Sequence, residues 1–482
     1  MTTPSRTPAT AASPGDAVEL VADLTELEQA LVRAARRGDP LDCGHVSMDE
    51  LAVADDPGRV VRAELIRELL LGRRGGLDPR GIHLAGARIT GFLDLSHVHA
   101  HAVLRVRHSV LDRPCNLTYA RLPLLDLAGS HVTQMYADGL QVDGSVFLRS
   151  GFRATGSGGE FGAVRLVGAH LHGTLDMGGA ELTNSTGPAL HADSLQVDGN
   201  VFLRGRFRAT SSSELGALHL LGATIRGQLS MVDATVTRTD PGPVVELRRV
   251  AVGDLLLPPT VVCPDGAATA SACGHLDRQI GLDHLTYITQ RRGTWRQWLH
   301  LLRHHSIGYT AQAYQQLAAT ERAQGHDGPA RRILIAQQDD LRHRGRLGNR
   351  PTRLVHWTWG KLAGYGYRTG RLIAALLLAI TTAGALGILA GHTPIRDNRN
   401  VAAHTARAEH PHTPCSITEQ IGLGIDRGLP LGATGLRDRC DLDTTSHRGQ
   451  AITIAIWAVQ AMVWALATLA IAGYTGLIRK IN

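Results

Sequence analysis

ADGLQVDGSVFLRSGFRATG, from Ala137 to Gly156, and ADSLQVDGNVFLRGRFRATS, from Ala192 to Ser211, are near copies of one phrase set 55 residues apart. Each is followed by a second shared phrase, VRLVGAHLHGTLDMGGAELT from Val164 and LHLLGATIRGQLSMVDATVT from Leu218. An earlier copy, IHLAGARITGFLDLSHV, begins at Ile82, and a weaker one, VELRRVAVGDLLL, at Val245. Internal repetition on this scale points to a stacked architecture, because one unit alone cannot bury its apolar face.

Inside each phrase apolar residues alternate over four to six positions, and then a Gly or Gly-Ala turns the chain, as through Leu166, Ala169, Leu171, Leu175 and Met177. Alternation at period two over so short a run predicts strands with frequent corners and no helix. The expected fold is mainly β: an irregular right-handed β-solenoid over 76–290, with about twenty residues per coil as an estimate for stacked strands. The phrases resemble degenerate pentapeptide repeats, in which Ala169-Leu171, Ala180-Leu182 and Ala223-Ile225 fit while the register slips between turns. Open ends of such a stack need covering. Amphipathic stretches at Ala17–Gly38 and Arg59–Leu71 predict a helical N-terminal cap within 17–75, and 295–345 predicts a helical hairpin at the other end.

Composition agrees with thin layers. Aromatic residues are only 4% of the 482, while glycine reaches 54, so small aliphatic side chains must fill the interior. Lysine and arginine total 50 against 43 acids, too small an excess to indicate nucleic acid, and the strongly acidic character of DNA-mimicking repeat proteins is missing. Residues 1–16, rich in Thr, Pro, Ala and Ser without an apolar core, read as a disordered leader and not as a signal peptide.

Residues 372–391, LIAALLLAITTAGALGILAG, form an uncharged run of bilayer length, and 451–478 form a second. Ala379, Ala383, Gly387 and Gly391 recur every fourth position, a stripe expected to admit the second span or another copy of the chain. Between Leu341 and Arg371 lie eight basic residues and no acid. Such a juxtamembrane segment, 346–371 with the arginines just before it, is drawn to anionic cytoplasmic lipid headgroups. The expected membrane-surface residues are Arg342, Arg344, Arg346, Arg350 and Arg353, with Trp357 and Trp359 as interfacial aromatics. The chain is therefore read as a multi-pass plasma-membrane protein with both termini cytoplasmic and 392–450 outside. In that oxidising compartment Cys415 and Cys440 are a plausible disulfide. Cys43, Cys115, Cys263 and Cys273 read as small buried hydrophobes, since no CxxC occurs.

Candidate chemistry is sparse. His97, His99 and His101 alternate, so one strand would place them on one face, a weak metal-ligand pattern without an acidic partner. Asp143 and Asp198, like Asp94 and Asp176, recur at equivalent places and read as turn caps ahead of an acid/base pair. GLGID, within the segment between the spans, is a faint channel-filter pattern that lacks the filter's threonine and aromatic. No dinucleotide or Walker motif appears, so no cofactor and no catalytic residue is assigned.

RAELIRELLL (Arg62–Leu71), GARITGFLDL (Gly86–Leu95), AYQQLAATERAQGHDGPARRILIAQQ (Ala313–Gln338), GYGYRTGR (Gly364–Arg371), IDRGLPL (Ile425–Leu431) and TGLIRK (Thr475–Lys480) together resemble one family. It is the actinobacterial family of membrane-anchored, pentapeptide-like repeat proteins, and the resemblance covers most of the chain. Many members carry the label "membrane-associated oxidoreductase", which implies redox activity but transfers no site residue here. The reading preferred from the residues is a scaffold, sensor or binding module with a protein partner or self-association. Alternatives are the oxidoreductase and an oligomeric two-helix channel.

Overall fold

A computed structural model describes residues 20–156, 161–264, 273–274, 276–345, 347–365, 367, 369–395, 399–405, 413–429 and 436–474. The leader 1–16, Arg346 and the end of the second span lie outside the described residues. The chain divides into two compact units, 1–330 and 331–482.

The first unit opens with helices α1 (Glu26–Arg37), α2 (Met48–Ala52) and α3 (Ala63–Leu70). Thr25 and Glu28 form a reciprocal capping box at the start of α1, and Gly38 ends it in the left-handed region. Glu28 is nearly inaccessible and is held by Arg62, whose Nε donates to Oε1 at 2.9 Å. The second predicted helix begins later than expected: Val60–Arg62 is a strand in register with Arg88–Thr90. Two β-branched valines beside an existing ladder favour the extended form.

From Leu41 to Arg291 the chain forms a 14-stranded and two 8-stranded sheets, parallel at every pairing. Most strands are only two to four residues long. The largest sheet is two ladders joined by Thr224–Ser230, whose first residues pair with Gln196–Val197 and last with Val201–Phe202. The chain returns to each ladder at intervals that vary along the sequence. Ser109 meets Ser130 21 residues on, whereas Arg153 meets Glu181 after 28. The 55-residue repeat is thus two returns: Arg153 pairs with Glu181, and Glu181 with Arg208.

The third copy of the second phrase falls elsewhere. Asp176 lies in the ladder of Phe147 and Phe202, but its sequence counterpart Asp94 pairs with Asn116 in a different sheet. Each phrase encodes a pair of strands and a corner, and the same corner serves at two places.

Corners form columns. His97, Tyr119, Gly139, Gly168, Ser194, Gly222, Arg249 and His284 all have φ between 55° and 71°. Only three of these eight are glycine, although glycine tolerates this region best. The others are held there because each return bonds to the next: Tyr119 N donates to Asp138 O at 2.8 Å and Ser194 N to Leu221 O at 2.8 Å. Beside the corners, Leu95, Leu117, Ala137, Leu166, Ala192, Leu220 and Leu247 are buried. This single file of small apolar side chains is the core that the composition calls for. Asp94, Asp126 and Asp176 each accept from the backbone N–H two residues on, at 3.0 Å, the turn-cap role.

After the sheets come α4 (Trp295–His300), a π-helical turn (Leu301–His305) and α5 (Ala311–Ala323). Gln312 and Gln316, one helical turn apart on α5, donate to the carbonyls of Leu285 and Tyr287 at 3.1 and 2.7 Å. They satisfy backbone acceptors at the end of the sheet, as a cap must.

The second unit holds α6 (Asp327–Arg344) from Arg331 on, then α7 (Arg350–Ala363), α8 (Thr369–His392), α9 (Ile417–Gly428), α10 (Leu436–Arg439) and α11 (His447–Tyr474). Gly370–His392 and His447–Leu469 are long and apolar enough to cross a membrane. Their contact uses Leu372, Ala379 and Ala383 against Val459, Val463 and Leu466. The small-residue stripe is divided. Gly387 and Gly391 face Gln420 of α9, not the second span, and Gly424 and Gly428 of α9 close on Ala383. In the segment between the two long helices, Val401, Ala402, Leu423 and Leu442 share a core with Ala390 of α8 and Ile452 and Ile456 of α11; Ala402–His404 pairs antiparallel with Cys440–Leu442, and a disulfide joins Cys415 to Cys440 with Cα atoms 6.2 Å apart. GLGID lies inside α9, where carbonyls are committed to the helix, so it does not form an extended filter.

Candidate functional site

In the first unit, parallel register aligns Asn116, Tyr136, Arg165, His191, His219 and Glu246 side by side, one from each return. Polar groups at neighbouring corners engage them. Arg165 Nε reaches both Asp138 oxygens at 2.8 and 2.7 Å, and Arg248 pairs with Glu246 at 2.9 Å. Asp193 Oδ2 meets His191 Nε2 at 3.2 Å and its Oδ1 meets His219 Nδ1 at 2.5 Å. Phe161, half exposed, stands between the Tyr136 ring, edge-on at 6.5 Å, and the Arg165 guanidinium at 4.9 Å. The result is a polar stripe with fixed spacing, partly exposed from Asn116 to His191 and buried at His219 and Glu246. A strand register is what makes such spacing rigid.

Burial pushes the Asp193 carboxyl up, but hydrogen bonds from His191 and His219 outweigh it and hold the group below the usual carboxylate range. A depressed folded-state value stabilises the fold above the unfolded carboxyl's ordinary pKa of about 4, and the benefit fades as pH falls below it. Asp193→Asn should therefore melt earlier than wild type near neutrality. The gap should narrow below about pH 4. Thermal melts across a pH series would test this, and a gap independent of pH would count against the ionic role.

His97, His99 and His101 are all exposed, with Val98 and Ala100 buried between them. They do not share one strand. His97 sits at a left-handed corner, stacked on Tyr119 at 5.4 Å, and only His99 bridges to a neighbour, Arg121. Among the described residues three other groups bring ligand atoms within 4.8 Å of one another: His170, His172 and Asp198; His191, Asp193 and His219; and Cys263, Cys273, His300 and His305. The Asp198 carboxylate is thus not a turn cap like Asp94; it faces His172 at 2.8 Å and Arg226 at 3.1 Å. Neither expected buried-hydrophobe role fits Cys263 or Cys273, which touch each other and the imidazoles. Cys115 is free and buried, and Cys43 free and partly exposed. In the sequence the only trace of this group is His300 and His305, five apart and downstream of two cysteines that do not form a CxxC.

No protein family, no curated protein and no solved structure matches this chain at a significant level. Its surfaces must be read from their own chemistry.

In the second unit, Arg350, Arg353, Leu354, Trp357 and Lys361 fall within one face of α7 by helical spacing. All five are exposed. Trp359, two residues from Trp357 and so turned well away from it, packs against the apolar cluster of α8 and α11. The expected aromatic pair is therefore split: Trp357 faces out and Trp359 anchors the helix. Arg344 pairs with Asp340 at 3.5 Å, one turn earlier in α6. Arg342, Lys361 and Arg371 line a pocket of about 340 Å³ with Asp339, Trp357 and Tyr365. Asp339 accepts from the Tyr365 hydroxyl at 2.9 Å.

Proposed function

We propose that this chain is a membrane-anchored binding module, in which a right-handed β-solenoid with helical caps stands at the inner face of the plasma membrane. The observation that carries the reading is the stripe built by parallel register, in which Asn116, Tyr136, Arg165 and His191 offer partly exposed groups while buried His219 and Glu246 anchor its far end. Such a row suits a protein partner or a second copy, which supplies matching charges and aromatic contact over many circuits. In this reading α8 and α11 cross the bilayer, both termini are cytoplasmic and 392–450 lies outside. The basic residues between Leu341 and Arg371 support that orientation, as does the Cys415–Cys440 disulfide between the spans. The exposed face of α7 then rests on anionic headgroups.

The second reading is the membrane-associated oxidoreductase that the family resemblance implies. An absorption spectrum of detergent-purified protein separates the two, since bound flavin or haem would overturn the binding-module reading. Orientation has its own test. Reporters after Asn482 should read cytoplasmic, and one near Thr405 should read outside. The reverse pattern removes the inner-face placement.

A further inference from the structure

We infer that Cys263, Cys273, His300 and His305 form a closed, four-ligand site for zinc or a similar thiophilic divalent cation. All four side chains are buried, and their ligand atoms lie within 4.8 Å of one another. The inference rests on the cytoplasmic placement proposed above for the first unit.

The local fold explains why these residues meet. Cys263 follows the 3₁₀ turn Pro259–Val261, and His300 ends α4. Next comes the π-helical turn Leu301–His305, whose bonds run from i to i+5. Residues five apart therefore project together, and His300 and His305 do so, while His304 is turned outward and exposed. Single π turns recur at functional sites.

Distances have the right scale. His305 Nε2 lies 3.2 Å from His300 Nε2 and 3.5 Å from Cys273 Sγ. A tetrahedron with metal–nitrogen bonds of about 2.0 Å and metal–sulfur bonds of about 2.3 Å has edges of about 3.3 Å between nitrogens and about 3.5 Å between nitrogen and sulfur. His305 Nδ1 is bonded to the Arg278 carbonyl at 2.8 Å, which makes it the protonated nitrogen and leaves Nε2 with its lone pair toward the cluster. A carbonyl behind the imidazole is the usual support of a metal-bound histidine. His300 Nδ1 is buried without a partner.

The structure joins Cys263 to Cys273 as a disulfide, with Cα atoms 6.3 Å apart, and this is the oxidised alternative to the metal site. That uses two of the four groups and leaves two buried imidazoles facing each other. In a reducing compartment thiols persist, and a divalent cation then engages all four, releasing the two thiol protons. With no open position, the site is structural. It would tie the segment between the strands Ala251–Leu256 and Arg278–Gly281 to the helical turns at Trp295–His305.

Full-length protein purified in detergent under reducing conditions should carry one zinc per chain by elemental analysis. A mercurial thiol reagent should release that zinc from the unaltered protein, so the result does not depend on a variant folding. Cobalt(II) exchanged into the site should give the visible bands of tetrahedral sulfur–nitrogen coordination. Cys273→Ser and His305→Ala should lose the metal, whereas His304→Ala and the Cys415→Ser/Cys440→Ser pair should keep it. Protein without metal whose Cys263 and Cys273 alkylate freely overturns the site and leaves the orientation standing. Protein without metal in which both resist alkylation until reduced overturns the site and the cytoplasmic placement together.

Discussion

A chain ending at Gly370 will bind vesicles containing anionic phospholipid at low salt and leave them as ionic strength rises. Such a chain lacks both spans but keeps α7 and the arginines before it. On α7 the charges of Arg350, Arg353 and Lys361 flank Trp357 and Leu354 on one exposed face, so cations and an interfacial aromatic reach a surface together. Each cation near an anionic surface contributes about 1 kcal/mol, screened within a Debye length of about 10 Å at 0.1 M salt. Neutralising Arg342, Arg344, Arg346, Arg350 and Arg353 together should therefore weaken binding by at least about a hundredfold, with Arg344 contributing least because Asp340 already holds it. Replacing His97, His99 and His101 should change nothing. Truncation uncovers Trp359, so some adhesion to neutral lipid is expected, and it should be insensitive to salt. Co-sedimentation that ignores lipid charge across the whole salt series would remove α7 from the membrane-surface role.

The second large effect is expected at Gly387. Even a methyl group there would overlap the Gln420 carbonyl oxygen, with the Gly424 nitrogen 2.9 Å away. Both obstacles are backbone, so no rotamer relieves them and α8 and α9 must separate. Overpacking a core costs about 1–3 kcal/mol; Gly387→Ala should reach the top of that range and Gly387→Leu exceed it. Gly370, near the start of the same helix, meets nothing within 4 Å. Gly370→Ala should be neutral or should stabilise by up to about 1 kcal/mol through helix propensity. Opposite signs from one substitution in one helix, read by thermal unfolding in detergent, isolate the packing from propensity. The Gly387 variants should also expose the Cys415–Cys440 disulfide to reductant sooner. An unchanged melt for Gly387→Leu would mean that α9 does not seat on α8.

The site was less legible than the fold. Apart from the neighbouring His191 and His219, the stripe from Asn116 to Glu246 changes residue type at each return, so no repeated phrase marks it. It exists only because return lengths that vary from 20 residues, Asn116 to Tyr136, to 29, Tyr136 to Arg165, still end in register. His97, His99 and His101 carried the visible pattern, alternation, yet a left-handed corner at His97 takes them off a common strand.

What the sequence determined by itself is what local physics decides: two apolar runs long enough to cross a bilayer, short alternating strands with corners, turn-capping aspartates, and a basic stretch ahead of the first span. These follow from side-chain transfer and backbone preference, which need only near neighbours. Tertiary structure alone decided which sheet each phrase joins, that Gly387 and Gly391 receive α9, that Trp357 and Trp359 part company, and that Cys263 and Cys273 meet His300 and His305. Those outcomes depend on the phase in which distant segments stack, and one residue more or less per return changes it without altering any local pattern.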